Sequence, residues 1–358
     1  MTSPLSPAHR RFATISIMPD SIRILFYVEQ GYAFDILRPL QDFAQSEGHQ
    51  VKWLILENAS INSLKPGEIA ATNIKEAINY QPHAVVVPGD RVPAFIPGLK
   101  VQVFHGLNED KRGNEYPERG LFDLYCTEGP ARTQTLRLLE EQLHYFQVRE
   151  TGWLKLDTIL NFKSDHIDYQ RPQILYASTF TPRLSSAEIL FPEISRLAST
   201  GSHQWLVTLH PKMASETVTK YRSLEGDNLQ FFNSDQVVEL LHRADIMVCD
   251  NSSILQEFLI LKKPVVTFNN RSPQSCMINI TNPDELSNAI TKALHPAKNL
   301  QKEIDNYGPS VTPYLDGASS ARVLNAISDM LREDWQDKKP RNFWRNLKMR
   351  RQLNYFGI

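Results

Sequence analysis

Ile246-Met247-Val248-Cys249-Asp250-Asn251-Ser252-Ser253-Ile254-Leu255-Gln256-Glu257-Phe258-Leu259-Ile260-Leu261-Lys262-Lys263-Pro264-Val265-Val266-Thr267-Phe268 reads as one strand–turn–helix–turn–strand unit. Ile246–Cys249 is short, apolar and β-branched, and it stops at small polar residues. Ser253–Leu261 has helical spacing, and Pro264–Phe268 returns to a continuous apolar run. Strands buried on both faces read this way, and two of them joined by a helix imply parallel pairing. Working outward, the same alternation covers most of the chain. Further strands are expected at Ile22–Val28, Val51–Leu56, Ala84–Val87, Val101–Phe104, Phe122–Cys126, Gln173–Ala177, Gln204–Leu209 and Leu229–Phe232. Amphipathic helices are expected at Phe34–Ser46, Asn73–Asn79, Arg132–Phe146, Ser186–Ala198, Asp235–His242, Pro283–Ala293 and Ser319–Leu331. The fold class is therefore α/β, with two doubly wound Rossmann-like sheets of about five strands each. A polar connector, Lys163–Pro172, separates them.

Composition narrows the function. The chain has 358 residues, enough for two domains with their own cores. Its 39 Lys+Arg against 40 Asp+Glu give a net charge of −1, which argues against a basic nucleic-acid coat protein, and no nucleic-acid partner is expected. Cys126, Cys249 and Cys276 are too sparse for a disulfide framework or a cysteine-built zinc site. Cys126 and Cys249 end apolar runs and are expected to be buried. Residues 1–20 carry Arg10 and Arg11 with no apolar stretch behind them, and no apolar run approaches a membrane span. A cytoplasmic protein is expected. The charge is nevertheless segregated. Lys338–Arg351 holds seven bases and no acid, interleaved with Phe343, Trp344 and Leu347. The remaining 32 bases face 40 acids, a net charge of −8. An amphipathic basic helix there suits an anionic membrane surface, at the inner face of the cell membrane. A solvated terminal helix is the ordinary alternative.

Ligands of open α/β sheets bind beyond the carboxyl ends of strands. Three strand-end loops carry chemistry. Phe104-His105-Gly106 follows Val101–Phe104; Gly106 permits a sharp turn or close ligand approach, and His105 is suited to general-base work. A loop histidine bonded to a neighbouring carbonyl is the plain reading. His210-Pro211-Lys212 follows Gln204–Leu209, and His210 and Lys212 supply donors for phosphate oxygens. In the third loop, Asp250-Asn251-Ser252-Ser253, Ser252 or Ser253 is expected to cap the helix with its hydroxyl. The helix start favours a phosphate, and Glu257 one turn on can accept from ribose hydroxyls. Ser178 and Thr179, ending Gln173–Ala177, are further phosphate-binding candidates. No Gly-x-Gly-x-x-Gly, Walker, nucleophile-elbow or zincin pattern is present. No metal ligand set is expected, although Glu109 and Asp110 adjoin the His105 loop.

In the order His105-Gly106, His210-Pro211-Lys212, Asp250-Asn251-Ser252-Ser253 and Lys263-Pro264-Val265-Val266, the chain resembles the CDP-glycerol glycerophosphotransferases. These enzymes build or prime teichoic-acid-type polymers. Gly120–Pro130 also looks like that family's run after its His-Gly loop, and the resemblance spans roughly residues 84–332. UDP-N-acetylglucosamine 2-epimerases show a similar Asp-Asn-Ser-Ser run.

The resemblance implies a glycosyltransferase-B arrangement. Residues 1–163 would form an acceptor domain and 172–318 a nucleotide-donor domain. Residues 319–335 would pack back on the first domain, with 336–358 as the basic tail. It implies His105 as base, His210 at the donor pyrophosphate, and Asp250, Ser252 and Ser253 in the nucleotide-binding turn with Asn251. An acceptor hydroxyl on a cell-surface glycan or lipid-linked precursor would attack CDP-glycerol and release CMP, with no cofactor. Glu109 and Asp110 depart from the family's basic residues after His-Gly, which disfavours a long polyanionic acceptor at that loop. A nucleotide-sugar glycosyltransferase or UDP-sugar 2-epimerase, and a non-catalytic nucleotide-binding module, are the alternatives.

Overall fold

The structure, a computed structural model, describes residues 20–56, 61–107, 118–163, 169–333, 335 and 338–356. Asn108–Arg112, including Glu109 and Asp110, and Ser164–Asp168 of the connector lie outside the described residues, as do residues 1–19.

The first half runs β1 (Arg23–Val28), α1 (Ala33–Ser46), β2 (Gln50–Ile55), α2 (Ile74–Asn79), β3 (Ala84–Val87), β4 (Leu99–Val103), β5 (Leu124–Thr127), α3 (Pro130–Leu143), β6 (Gln147–Glu150) and α4 (Leu154–Leu160). The second runs β7 (Gln173–Ser178), α5 (Ala187–Ser199), β8 (Gln204–Leu209), α6 (Ser215–Arg222), β9 (Leu229–Phe232), α7 (Val237–Arg243), β10 (Ile246–Cys249), α8 (Ile254–Ile260), β11 (Val265–Phe268), β12 (Met277–Ile280), α9 (Leu286–Leu294) and α10 (Lys298–Val311). The chain ends with α11 (Ser319–Arg332) and α12 (Phe343–Gln352).

Each half is one parallel sheet, ordered β2-β1-β3-β4-β5-β6 and β12-β11-β10-β7-β8-β9. The α/β fold of two doubly wound sheets is as expected, but each has six strands rather than five. Both additions are edge strands with a weak apolar signal: only Val148 of β6 and Met277 and Ile280 of β12 are buried. Reversal of strand order puts a crevice between β1 and β3 in the first sheet and between β7 and β10 in the second.

The strands are almost wholly buried because helices cover both faces. In the first half, Trp53 stacks against Phe34 and meets Phe26 edge-on at 4.8 Å, and its indole N–H donates to Gln41 Oε1 at 2.6 Å. Leu154 of α4 and Val323, Leu324, Ile327 and Met330 of α11 complete that face. The face beneath α2 and α3 holds Leu25, Tyr27, Val85 and Tyr125. Cys126 and Cys249 are buried, and burial pushes the Cys126 thiol up to about 12.

The two halves share apolar packing. Leu107, Trp153, Leu156 and Ile159 join the cluster formed by Cys249, Phe258 and Leu259. Asp157 accepts from the backbone N–H groups of Ser319 at 2.9 Å and Ser320 at 2.6 Å, satisfying the open first turn of α11 from outside that helix.

Gly98 is structurally obligatory. Gly98 has φ +86°, and a Cβ there would stand 2.3 Å from the Pro82 carbonyl oxygen and 2.7 Å from the His83 carbonyl carbon. Both neighbours are backbone atoms just ahead of β3, where Gly98 stands just ahead of its parallel partner β4. Gly98→Ala is expected to destabilise the chain by about 2 kcal/mol or more, read as a lowered denaturant midpoint at unchanged slope.

Candidate active site

The best-defined construction lies at the crevice of the second sheet. Asp250, directly after β10, is fully buried. Its Oδ1 accepts from the Thr179 backbone N–H at 3.0 Å. Its Oδ2 accepts from Ser178 Oγ at 2.6 Å, the Ser186 N–H at 2.8 Å and Ser186 Oγ at 3.0 Å. Ser178 Oγ also meets Ser185 Oγ at 2.8 Å. Expected at the ligand, Asp250 and Ser178 instead spend their polar groups on each other and on the loop between β7 and α5. Leaving any of those buried donors unmet would be costly, so the carboxylate fixes the loop's shape. Thr179 follows at the partly open edge.

Asn251 extends the same bracing. Its Oδ1 accepts from the Arg271 N–H at 2.9 Å and its Nδ2 donates to the Asn269 carbonyl at 3.2 Å. The expected cap is absent: Ser253 precedes α8 in a helical conformation and makes no side-chain cap bond. The turn is already closed by backbone bonds from Leu255 to Ser252 and from Gln256 to Ser253. Neither serine hydroxyl is bonded among the described residues. Lys263 is also structural, donating to the carbonyls of Leu241 at 2.9 Å, His242 at 2.5 Å and Ala244 at 2.7 Å at the end of α7. Burial lowers its pKa to about 8.

Glu257 is buried and pairs with Lys155 of α4 at 2.6 Å, a bond between the two halves. Its second oxygen, Oε2, is buried with no hydrogen-bond partner among the described residues. A buried carboxylate oxygen without a donor is a standing cost that a ligand hydroxyl would relieve. Lys155 carried no sequence signal beyond its charge.

The two histidines are held in opposite tautomers. His105 Nδ1 lies 3.1 Å from the Pro88 carbonyl oxygen at the end of β3. A carbonyl can only accept, so Nδ1 carries a proton, and in the neutral ring Nε2 bears the lone pair. The plain reading of a carbonyl-bonded loop histidine is correct. Tyr32 braces it at 5.0 Å between ring centroids. At His210, Nδ1 accepts from the Lys212 backbone N–H at 3.0 Å, so the neutral ring carries its proton on Nε2 as a donor. Phe180 lies against the ring at 4.3 Å, with Lys212 Nζ 5.8 Å from the same aromatic centroid. Partial burial, then the Lys212 charge, lower the His210 pKa and favour that neutral donor. Phe180 was missed, although an aromatic one residue beyond Ser178-Thr179 at a strand end was a usable signal. Gly106 has neither a left-handed φ nor a close neighbour at its Cβ position among the described residues, so the backbone itself does not demand glycine there.

Burial also lowers the pKa of His83, His203 and His242 below the ordinary 6.5. With a depressed folded pKa, the unfolded chain binds more protons as pH falls through the window below 6.5. Stability is therefore expected to be full above about pH 7 and to decline on acidification through about pH 6. Thermal midpoints across that range, with proton uptake on unfolding, check the sign. Among the described residues no three His, Cys, Asp or Glu side chains cluster as a metal-binding set. No described helix is long and apolar enough to cross a membrane.

Two Rossmann-like sheets with nucleotide-type crevices and strand-end histidines define the class: the two-domain glycosyltransferase-B architecture. The UDP-N-acetylglucosamine 2-epimerase family model matches residues 123–328, more than half of the chain, and the chain belongs to that family. The resemblance to glycerophosphotransferases is borne out too. Teichoic acid glycerol-phosphate primase of Bacillus subtilis (strain 168) is 29% identical over 182 residues, covering 47% of this chain and 46% of the primase. The chain thus spans about half the length of the curated relative it matches. The wall teichoic acid polymerase TagF superposes with TM-score 0.65 at 15% identity, covering 89% of this chain and 91% of that one. MnaA of S. aureus with UDP superposes with TM-score 0.62 at 17% identity, covering 89% and 99%. These two structural likenesses establish the shared fold. The related families are enzymes.

Proposed function

We propose that the chain is a transferase that moves glycerol phosphate from CDP-glycerol to an acceptor hydroxyl of a surface-glycan or lipid-linked precursor. The observation that carries this reading is the pair of histidines fixed in opposite tautomers, one as acceptor and one as donor. The acceptor hydroxyl attacks the glycerol-bearing phosphorus. Its proton passes to His105 Nε2, the new oxygen–phosphorus bond forms, and the bond to the CMP oxygen breaks. His210 Nε2–H, with Lys212, donates to the nonbridging and leaving oxygens, which suits phosphoryl transfer, where positioning and charge stabilisation dominate. Glu257 Oε2 accepts from the ribose, and Thr179, Ser252 and Ser253 line the phosphates that the Asp250-braced loop presents. Gly106 leaves room beside the base. The basic tail brings this cytoplasmic enzyme to an anionic membrane surface where a lipid-linked acceptor would lie.

A second reading, UDP-N-acetylglucosamine 2-epimerisation, is favoured by the match over residues 123–328. Epimerisation asks for acid–base carboxylates in the cleft. The rim carboxylates of the first sheet are instead engaged: Glu128 with Arg132 at 2.8 Å, Asp90 with Arg119, and Glu29 with Tyr27 at 3.0 Å. Incubation with CDP-glycerol and a lipid or glycan acceptor tests the transferase reading; release of CMP with a glycerol-phosphate product supports it. Conversion of UDP-N-acetylglucosamine to its 2-epimer, with no CMP from CDP-glycerol, favours the second.

A further inference from the structure

The basic tail is not a loose appendage. Lys339 bonds Asp123, which also accepts from Trp335 Nε1 at 3.2 Å and the Lys100 backbone N–H at 2.7 Å. Asn342 donates to the carbonyls of Arg119 at 2.9 Å and Gly120 at 3.0 Å. Tyr27 O–H reaches Met349 Sδ at 3.8 Å, and Tyr355 stacks on Phe95 at 5.1 Å beneath the Arg350 guanidinium. The expected helix over Lys338–Arg351 is therefore shorter, Phe343–Gln352, and its inner side is docked on the first half beside the crevice rim.

This docking closes a pocket of about 300 Å³ between α12 and the loops after β3 and before β5. Its walls carry four bases, Arg91, Arg119, Arg345 and Lys348, over an apolar floor that includes Leu121 and Met349. Two acids adjoin it: Asp90 pairs with Arg119, and Glu29 stands 3.7 Å from Arg91. Arg345 and Lys348 have no acidic partner among the described residues, so the pocket keeps an excess of about two positive charges. The same helix turns apolar groups to solvent: Phe343 is 67% exposed and Trp344 78%, both lining the neighbouring cavity that shares Arg119 and Arg345 with this one, and Leu347 is also exposed, one turn further along. Cations around a cavity beside solvent-facing aromatics match a bilayer surface, where phosphates sit at the depth of interfacial tryptophan.

We propose that this seam binds the phosphate headgroup of an anionic bilayer lipid, with Phe343, Trp344 and Leu347 entering the interface around it. The inference deepens the membrane element of the transferase reading by assigning it a built pocket. It rests on that element and not on the identity of the donor.

Sedimentation of the full chain with phosphatidylcholine vesicles, with and without phosphatidylglycerol, is the test. Binding is expected only with the anionic lipid. Two double variants separate the pocket from bulk charge. R341A/R351A removes two exposed tail bases outside the pocket and is expected to weaken binding about fivefold per base. R345A/K348A removes the same charge from the pocket and is expected to lose about tenfold more, because charge-assisted hydrogen bonds go with it. Equal losses in the two pairs overturn the pocket while leaving a diffuse basic surface. Absence of binding to either vesicle overturns both the pocket and the membrane element. A thermal shift with inorganic phosphate that R345A/K348A abolishes, with no vesicle binding, assigns the site to a soluble phosphate and also overturns the proposal. Retention of the CDP-induced thermal shift in every variant shows that the nucleotide site, and hence the transferase reading, is judged separately.

Discussion

Replacing His105 with alanine is expected to lower kcat by about 10²–10⁴ while leaving nucleotide affinity unchanged. The ring's bond to Pro88 leaves the neutral ring's lone pair on Nε2, and in the proposed mechanism Nε2 takes the acceptor's proton only as the new bond forms. That contribution belongs to the transition state and does not appear in donor binding. The substitution exposes no core, since His105 is at the surface of its loop, so the variant should fold normally. Glutamine should not rescue it, because a neutral amide has no basic lone pair near the working pH. A His105→Ala variant with full turnover, or one restored by His105→Gln, would remove the base role.

Replacing His210 with alanine should cost about 10²–10³ in kcat, the usual scale for deleting one donor to developing negative charge. Here the pattern differs from His105 in two ways. In the proposed mechanism the lost Nε2–H also contacts ground-state phosphate, so affinity for CDP should weaken together with turnover. His210→Gln keeps an N–H donor and should recover part of the loss. The surroundings make the donor specific: Phe180 holds the ring plane and the Lys212 N–H occupies Nδ1. If glutamine rescues neither variant or both equally, the division into one base and one donor is wrong. Isothermal titration with CDP and single-turnover CMP release read the two components apart.

The fold was largely legible because buried parallel strands announce themselves as short apolar runs ended by polar residues, as in Ile246–Cys249. The strands that escaped, β6 and β12, are edges whose outer positions carry Arg149, Glu150 and Asn279 and so lack that signature. α10 escaped because Gly308-Pro309 reads as a break; the structure keeps that pair near the helix end, with Gly308 packed against Ile260 and Leu315.

At the candidate site, residue types at strand ends singled out loops but could not separate open groups from bracing ones. Asp250 and Ser178 look like phosphate binders in sequence. Their bonds to Thr179, Ser185 and Ser186 depend on β7 and β10 being neighbours, which only the strand order reveals. The histidine tautomers were likewise invisible, because each is set by one backbone group: Pro88 O for His105 and Lys212 N for His210. The pairing of Lys155 with Glu257 spans the two halves and left no local pattern. The tail's charge was plain in the sequence, but its pocket required Arg91 and Arg119, which lie more than two hundred residues away.

Transferase and epimerase are told apart by product analysis after incubating the full chain with CDP-glycerol, a lipid-linked acceptor and, in parallel, UDP-N-acetylglucosamine. CMP is expected to be released in step with glycerol phosphate appearing on the acceptor, both lost in His105→Ala, with no change in the UDP-sugar. UDP-N-acetylglucosamine converted to its 2-epimer, with CDP-glycerol untouched, would contradict the transferase reading.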